Sequence, residues 1–420
     1  MVTDLALQRS KYKHLSDEEW RWFLQQVEGR ERTADKLPTF AAIDDWWYPV
    51  RLSCEQCSSE LTARYKASLL SPLALGEGKG ERFLDLTGGY GVDTFFLSEH
   101  FAHTDYVEQN AELCRIAAHN FALIQKSKVE RQKFSIAVHN CTAEDFLLSS
   151  PCGEAGWGFI FLDPARRDSH GGKVFKLADC TPNVVELLPA LLNRLAPDGR
   201  IMLKLSPMLD ITQALKELTP PNLPSREEII WDVHIVAVKN EVKEVLLLSQ
   251  CLKAPINDQM VNDQMVNNPM VNDQMIKCLD FSRPEQAFTF TREEEKEALC
   301  PPLEGELEGV FLFEPNAAIL KAGAYKLIAQ RFGLHKLDTN THLYVSDTLV
   351  ENFPGRVWRI NDHMVNAKMV NGQMANVLCR NYPLTAEQLK KKLRLRDGGT
   401  AFVIGCRVAG KPTLFLAERL

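Results

Sequence analysis

The chain has 420 residues, 45% of them apolar and 25% charged, with a net charge of −6 at pH 7, so it is long enough for more than one domain and a substantial core. That charge excludes a uniformly basic surface, and a nucleic-acid partner has to be held by a local patch. No run reaches the ~18 apolar residues that cross a bilayer, no apolar stretch follows Met1 as in a signal peptide, and eleven scattered cysteines, an odd number, point to a reducing cytoplasm rather than a disulfide framework.

Residues 1–78 read as a helical leader. Ser16 and Glu19 have capping-box spacing ahead of Trp20, Trp22, Phe23 and Leu24. Pro38 and Pro49 break the chain, and a second helix is predicted from Ser59 to Leu70. Cys54 and Cys57 form a Cys-x-x-Cys pair; a zinc site needs a second pair at suitable spacing, so no metal is expected.

The pattern changes over residues 79–252. Short β-branched and aromatic runs at 82–86, 104–108, 134–138, 158–162 and 200–205 alternate with helical spacing at 91–100, 110–126, 143–149 and 182–195. Five strands with helical crossovers predict a parallel sheet covered on both faces. Two more strands, 229–238 and 242–250, follow one another across Lys239-Asn240-Glu241, which predicts a closing hairpin.

Residues 253–277 are a low-complexity insertion in which NDQMV and its variants repeat every five residues from Asn257 to Met275. The same period returns at 361–376. A five-residue period gives a continuous face on neither helix nor strand. Both tracts, which hold seven of the ten methionines, are therefore read as mobile surface insertions rather than Met-lined binding boxes. The rest of the C-terminal third reads as α+β in two parts, 278–348 and 349–420. Its predicted elements are a strand at 311–313, one long amphipathic helix at 317–332, and a strand pair of 356–360 with 377–380. A helix from Leu384, capped by Thr385 and stopped by Gly398-Gly399, precedes two last strands at 400–408 and 412–417.

The run FLDLTGGYGVDTFFL (83–97) places Asp85 at a strand end, Gly88, Gly89 and Gly91 in the turn, and a helix after them. Ligands of open α/β sheets bind at that edge, and glycines let a ligand approach the backbone. Glu108 ends the next strand 23 residues later, a spacing that suits a carboxylate on ribose hydroxyls. The turn would serve a nicotinamide dinucleotide, or no ligand at all. Asp85 and Asp93 beside it favour a cationic sulfonium, S-adenosylmethionine, over a pyrophosphate.

A second run, FIFLDPARRD (159–168), brings Asp163 and Pro164 to the same edge, either as a strand-stopping turn or as an acceptor site. Arg166 and Arg167 read either as phosphate holders or as solvated loop charges. Lys204 and Asp210 follow the fifth strand at this edge. The Asp163 turn lacks a cysteine, although Cys141 and Cys180 are near in sequence. Lys390, Lys391, Lys392, Arg394 and Arg396 put five positive charges within seven residues, either a phosphate footprint or a solvated helix face.

Residues 82–250 resemble class I S-adenosylmethionine-dependent methyltransferases. With EQCSSELTARYKA (55–67), EPNAAILKAGAYKLIAQRFGL (314–334) and RNYPLTAEQLKKKLRLRDGG (380–399), the chain resembles bacterial methyltransferases that end in a THUMP-like domain, some described as similar to RNA-cap guanine-N2 methyltransferases. The resemblance implies an α/β fold: an N-terminal helical segment, a Rossmann-like methyltransferase sheet, then α+β ferredoxin-like (278–348) and THUMP-like (349–420) domains. It implies that Asp85, Thr87, Gly88, Gly89, Gly91, Glu108, Thr142, Ala143 and Asp163 bind S-adenosylmethionine, with Asp163 and Pro164 as the catalytic pair. That pair matches the first half of an (Asp/Asn)-Pro-Pro-aromatic signature whose aromatic stacks on a flipped base. Ala165 and Arg166 stand in the signature's last two places, leaving Phe175 or Tyr90 as stacking candidates, and Thr142 stands where amino methyltransferases often carry Asp. Gln56, Ser58, Ser59 and Thr62 read either as a lip over the cofactor or as a helix cap.

The expected activity is methyl transfer to a base nitrogen of structured RNA, guanine N2 first, with Arg166, Arg167 and the basic cluster at 390–396 holding the RNA. The alternatives are methylation of a protein or small molecule, and a non-catalytic RNA-binding protein with a decayed methyltransferase fold.

Overall fold

Ser16 caps α1 (Asp17–Thr33). Its Oγ accepts from Glu19 N at 3.2 Å while Glu19 Oε2 accepts from Ser16 N at 2.7 Å, the reciprocal pair that the spacing predicts. The computed structural model describes residues 9–70, 82–127, 135–149, 156–166, 176–219, 229–250, 274–300, 310–363, 370 and 372–420. They fall into two units, residues 1–229 with 247–266, and residues 230–246 with 267–420.

In the first unit α2 (Arg51–Gln56) and α3 (Glu60–Ser68) complete the leader. The leader is no appendage. Phe40, Trp46, Tyr48 and Ala63 share one core with Phe83, Tyr90, Phe95 and Phe96, and Trp46 Nε1 donates to Tyr90 Oη at 2.9 Å. Each fully buried side chain of this size contributes about 1.5–3 kcal/mol over leaving it in water, so the leader is held by packing rather than by helix propensity.

The parallel strands are β1 (Arg82–Asp85), β2 (His103–Val107), β3 (Ser135–His139), β4 (Trp157–Leu162) and β5 (Leu195–Leu205). The crossovers are α4 (Val92–Ser98), α5 (Ala111–Ser127), α6 (Ala143–Ser149) and α7 (Val184–Leu192), and α8 (Ile211–Glu217) follows β5. The order is β3-β2-β1-β4-β5, with Asp85 in register with Tyr106 on one side and Phe161 on the other. The connections leave β1 in one direction to β2 and return on its far side at β4. That reversal is the topological switch point, where the carboxyl ends of the strands open a crevice for ligands.

β6 (Trp231–Val238), in the second unit, and β7 (Glu241–Ser249), of which residues 241–246 belong to that unit, form the expected hairpin. Its turn is Lys239-Asn240, at φ 53° and 61°, the left-handed pair that matches the twist of the strands. β8 (Met275–Asp280) runs parallel to β6, and β9 (Phe288–Thr291) runs antiparallel to β8; α9 (Arg292–Glu297) follows. A separate seven-stranded sheet uses β10 (Phe311–Pro315), β11 (His335–Asp338), β12 (Thr341–Ser346), β13 (Gly355–His363), β14 (Asn376–Arg380), β15 (Ala401–Val408) and β16 (Lys411–Arg419). Its order is β11-β12-β10-β13-β16-β15-β14.

Four expectations for this region are corrected. The helix predicted over 317–332 is two, α10 (Ala317–Ala322) and α11 (Leu327–Phe332), because Gly323 takes φ +80° and ends the first. Residues 356–360 and 377–380 are not paired: β13 lies between β10 and β16, and β14 runs parallel to β15. The basic helix α12 (Ala386–Leu393) ends on Arg394 in the left-handed conformation, ahead of Gly398-Gly399. The second repeat tract is not all surface, since Asn361–His363 belong to β13 and Val370 is fully buried with Leu389, Leu393 and Val403. A lone valine anchors without needing a periodic face. Of the first tract, 257–273 lie outside the described residues, and Met275 opens β8. No helix among the described residues is long and apolar enough to cross a membrane.

Candidate active site

The loop after β1 is built from within. Asp85 Oδ1 accepts from Thr87 N at 3.0 Å and Oδ2 accepts from Thr94 Oγ1 at 2.5 Å. Burial pushes the Asp85 carboxyl up to about 7, against the pull of those two hydrogen bonds. Gly88 N donates to Val107 O at 2.9 Å, and Gly91 N to Gly88 O at 2.8 Å. A Cβ on Gly88 would lie 2.1 Å from the Tyr106 ring, so only glycine fits beneath the loop. Tyr106 Oη in turn donates to Gly89 O at 2.5 Å. Asp85, Gly88 and Gly91 therefore shape the turn.

A cleft of about 300 Å³ lies over this edge. Of the residues expected at the site, Thr87, Gly89, Glu108, Thr142, Ala143 and Asp163 line it. Glu108 Oε2 accepts from Gly89 N at 2.9 Å and Oε1 from Asn110 N at 2.8 Å. Thr142 Oγ1 accepts from Asp145 N at 3.1 Å, capping α6. Asp163 N donates to Thr87 Oγ1 at 2.6 Å, which ties the end of β4 to the loop after β1.

Asp163 also ends a chain of charges. Lys204 Nζ lies 2.5 Å from Asp163 Oδ2 and 3.9 Å from Asp93 Oδ2, and Lys66 Nζ lies 3.1 Å from Asp93 Oδ1. Ser58 Oγ donates to Asp93 Oδ2 at 2.7 Å. Burial raises the Asp93 carboxyl, but Lys66 and Lys204 outweigh it and hold the group below its ordinary value. The expectation that Asp93 offers its charge to a cationic ligand is corrected: that charge is compensated inside the protein. Lys66, fully buried on α3, carried no sequence signal, because a lysine on an amphipathic helix reads as a solvated one.

The remaining expected residues separate. Gln56 lines the cleft together with Ser53 and Cys57, whereas Ser58 binds Asp93 and Ser59 caps α3 by accepting from Thr62 N at 3.2 Å. Tyr90 cannot stack on a substrate, for its hydroxyl is held by Trp46 and Trp47 in the core. Phe175 and Arg167 lie outside the described residues. Pro164 is buried, and Arg166 joins a two-residue ladder with Cys180. That ladder also pairs Ala165 with Thr181, so Ala165, Thr181 and Pro182 wall the cleft beside Asp163. Burial raises the thiols of Cys57 and Cys141, which keeps these two cleft residues protonated and poor as nucleophiles. Among the described residues no group of His, Cys, Asp and Glu could hold a metal ion.

In the second unit, α12 buries Leu389 and Leu393 and turns its lysines outward. Lys390 pairs with Asp397, and Arg396 Nε donates to Gly372 O at 3.1 Å. Lys391, Lys392 and Arg394 are exposed. Lysines in the last turn also complement the helix dipole.

Residues 311–354 match the family described as a ferredoxin-like domain, and residues 355–419 the family described as THUMP domain-like. No curated protein matches. Among solved structures the chain is similar to a proposed methyltransferase from Porphyromonas gingivalis W83, at 27% identity and a TM-score of 0.73, over 96% of this chain and 92% of that one. It also matches a SAM-dependent methyltransferase from Agrobacterium tumefaciens at 14% identity and a TM-score of 0.35, over 50% of this chain and 65% of that one. A tRNA m1G37 methyltransferase from M. jannaschii matches at 12% identity and a TM-score of 0.31, over 47% of this chain and 51% of that one. The chain has a Rossmann-like methyltransferase fold and carries a ferredoxin-like and a THUMP-like domain.

Proposed function

We propose that the protein transfers a methyl group from S-adenosylmethionine to a base nitrogen of structured RNA, with guanine N2 as the leading acceptor. The observation that carries the reading is the convergence of Glu108 and Asp163, from two different strands, on one cleft at the sheet's switch point. The cleft suits the cofactor chemically. Each Glu108 oxygen accepts one backbone N–H and keeps a further lone pair for a ribose hydroxyl. Gly89 adds a backbone approach, and Thr142 and Ala143 flank the place of an adenine.

Bound there, S-adenosylmethionine supplies a methyl group already activated by its sulfonium. The protein's part is alignment. Asp163 presents its carboxylate to the N–H groups of the acceptor amine, and Lys204 fixes that carboxylate through Oδ2. Ala165 and Pro182 give the base an apolar wall in place of an aromatic. The THUMP-like domain, similar to modules that dock structured RNA, and the exposed Lys391, Lys392 and Arg394 support RNA as the acceptor.

The test is transfer of radiolabelled methyl from S-adenosylmethionine into RNA and, separately, protein, both from cells lacking this gene. Label in RNA that is lost in Asp163→Ala is the expected result. Label in protein alone, or in neither pool, overturns the RNA reading.

A further inference from the structure

The second unit has its own cleft, also about 300 Å³, lined by residues from five separated stretches of chain. Four are cations: Lys239 from the β6–β7 turn, Arg283 after β8, Arg356 at the start of β13 and Arg419 at the end of β16. A single carboxylate, Asp280, also lines it. Four positive charges against one negative stand together in a chain whose net charge is −6.

The cleft is rigidly framed. Asp280 Oδ2 accepts from Asn240 N at 2.7 Å and Oδ1 from Ser282 N at 2.9 Å. Its oxygens thus hold the two loops, and backbone dipoles offset its charge. Lys239 N donates to Ser282 Oγ at 2.8 Å, and Asn240 Oδ1 accepts from Ala317 N at 2.8 Å. Trp358 is in register with Arg419, and Arg356 precedes Trp358 by two residues, so the two arginines share one face at the sheet's end. Arg356 Nη1 is 3.6 Å from buried Glu314, which Arg380 Nε also meets at 2.6 Å. Lys239, Arg283 and Arg419 are exposed, and no carboxylate pairs with their side chains among the described residues. Cations gathered around one concavity repel one another, and a bound oxyanion relieves that repulsion. Arginine forks match phosphate in particular.

We propose that this cleft binds backbone phosphate of the RNA acceptor, a docking site separate from the one that holds the reacting base. The proposal rests on the RNA reading above, and two of its arginines, Arg356 and Arg419, lie in the THUMP-like stretch. The test uses the full chain and a variant with Arg283→Ala and Arg419→Ala, both exposed and outside the Glu314 cluster, checked by thermal unfolding. The probe is a fluorescent RNA hairpin titrated at several salt concentrations, with inorganic phosphate titrated in parallel. The expected result is at least tenfold weaker RNA binding, with a salt slope lower by about 1.4–1.8, the equivalent of two phosphate contacts. A variant carrying Arg283→Lys and Arg419→Lys should keep the slope. RNA binding that is equal in affinity and slope in the wild type and the alanine variant overturns the docking site and leaves the RNA reading standing. A wild type that binds no RNA overturns both; phosphate binding that survives there and depends on the two arginines reassigns the cleft to a small anion.

Discussion

The Lys204 ammonium donates to Asp163 Oδ2 at 2.5 Å and stands 3.9 Å from Asp93 Oδ2. One lysine thus links the cleft carboxylate of Asp163, the group proposed to meet the methyl acceptor, to the buried carboxylate that holds the leader helix α3. Lys204 reaches the reaction only through Asp163, so it is a positioning residue. Lys204→Met should slow methyl transfer about 10–100-fold, the cost of a loosened reacting group, with little change in the affinity for S-adenosylmethionine. Lys204→Arg should recover most of the rate. Single-turnover rates together with calorimetric cofactor binding separate the two effects, and a loss of both would make Lys204 merely structural.

The Lys66–Asp93 pair should matter to stability first. Removing one partner of a buried ion pair costs about 3–5 kcal/mol, because the other charge stays buried. Lys66→Met should therefore lower the urea midpoint strongly. Replacing both residues with apolar ones should cost less than the single change. Equal losses for the single and double variants would show that Asp93 is satisfied without Lys66.

Asp85 gives a stability signal of opposite sign to an ordinary paired carboxylate. Its folded value, about 7, lies above the ordinary value of 3.8. Between those limits the folded state therefore holds a proton that the unfolded state has lost, and stability falls as pH rises. The size is on the order of 4 kcal/mol across that window. Asp85→Asn should flatten the profile between about pH 4 and pH 7, read from unfolding midpoints. An unchanged slope would mean that Asp85 titrates normally.

How far these features could be read in advance depends on their range along the chain. Ser16 with Glu19, Thr385 with Gln388, and the turn from Asp85 to Gly91 are local, and local hydrogen bonding decides them. Glu108 was legible because the spacing of two strand ends repeats the period of a βαβ unit. Lys66 and Asp93 meet only after folding, from helices 27 residues apart in sequence. The parallel pairing of β14 with β15, and the gathering of Lys239, Arg283, Arg356 and Arg419, are likewise tertiary. The basic footprint at 390–396 is local, and there the structure divides the five cations: Lys390 pairs with Asp397, Arg396 is exposed but bonds Gly372 O, and Lys391, Lys392 and Arg394 are exposed.

Glu108 offers the most direct check on the cofactor. Its carboxylate closes the loop through Gly89 N and Asn110 N, and two lone pairs remain for a ligand. Hydrogen bonds to a charged group contribute about 1.5–3 kcal/mol each, so Glu108→Ala should weaken S-adenosylmethionine binding at least tenfold. Glu108→Gln keeps the acceptor oxygen but loses the charge and one of the two acceptor sites, and it should fall between. Stability should drop by only about 1 kcal/mol, since the orphaned amides lie at an open cleft where water can reach them. Calorimetry with S-adenosylmethionine and with S-adenosylhomocysteine reads the effect. Both ligands carry the same ribose, so both should weaken equally; a loss confined to the sulfonium form would instead place Glu108 beside the positive charge and move the ribose elsewhere in the cleft.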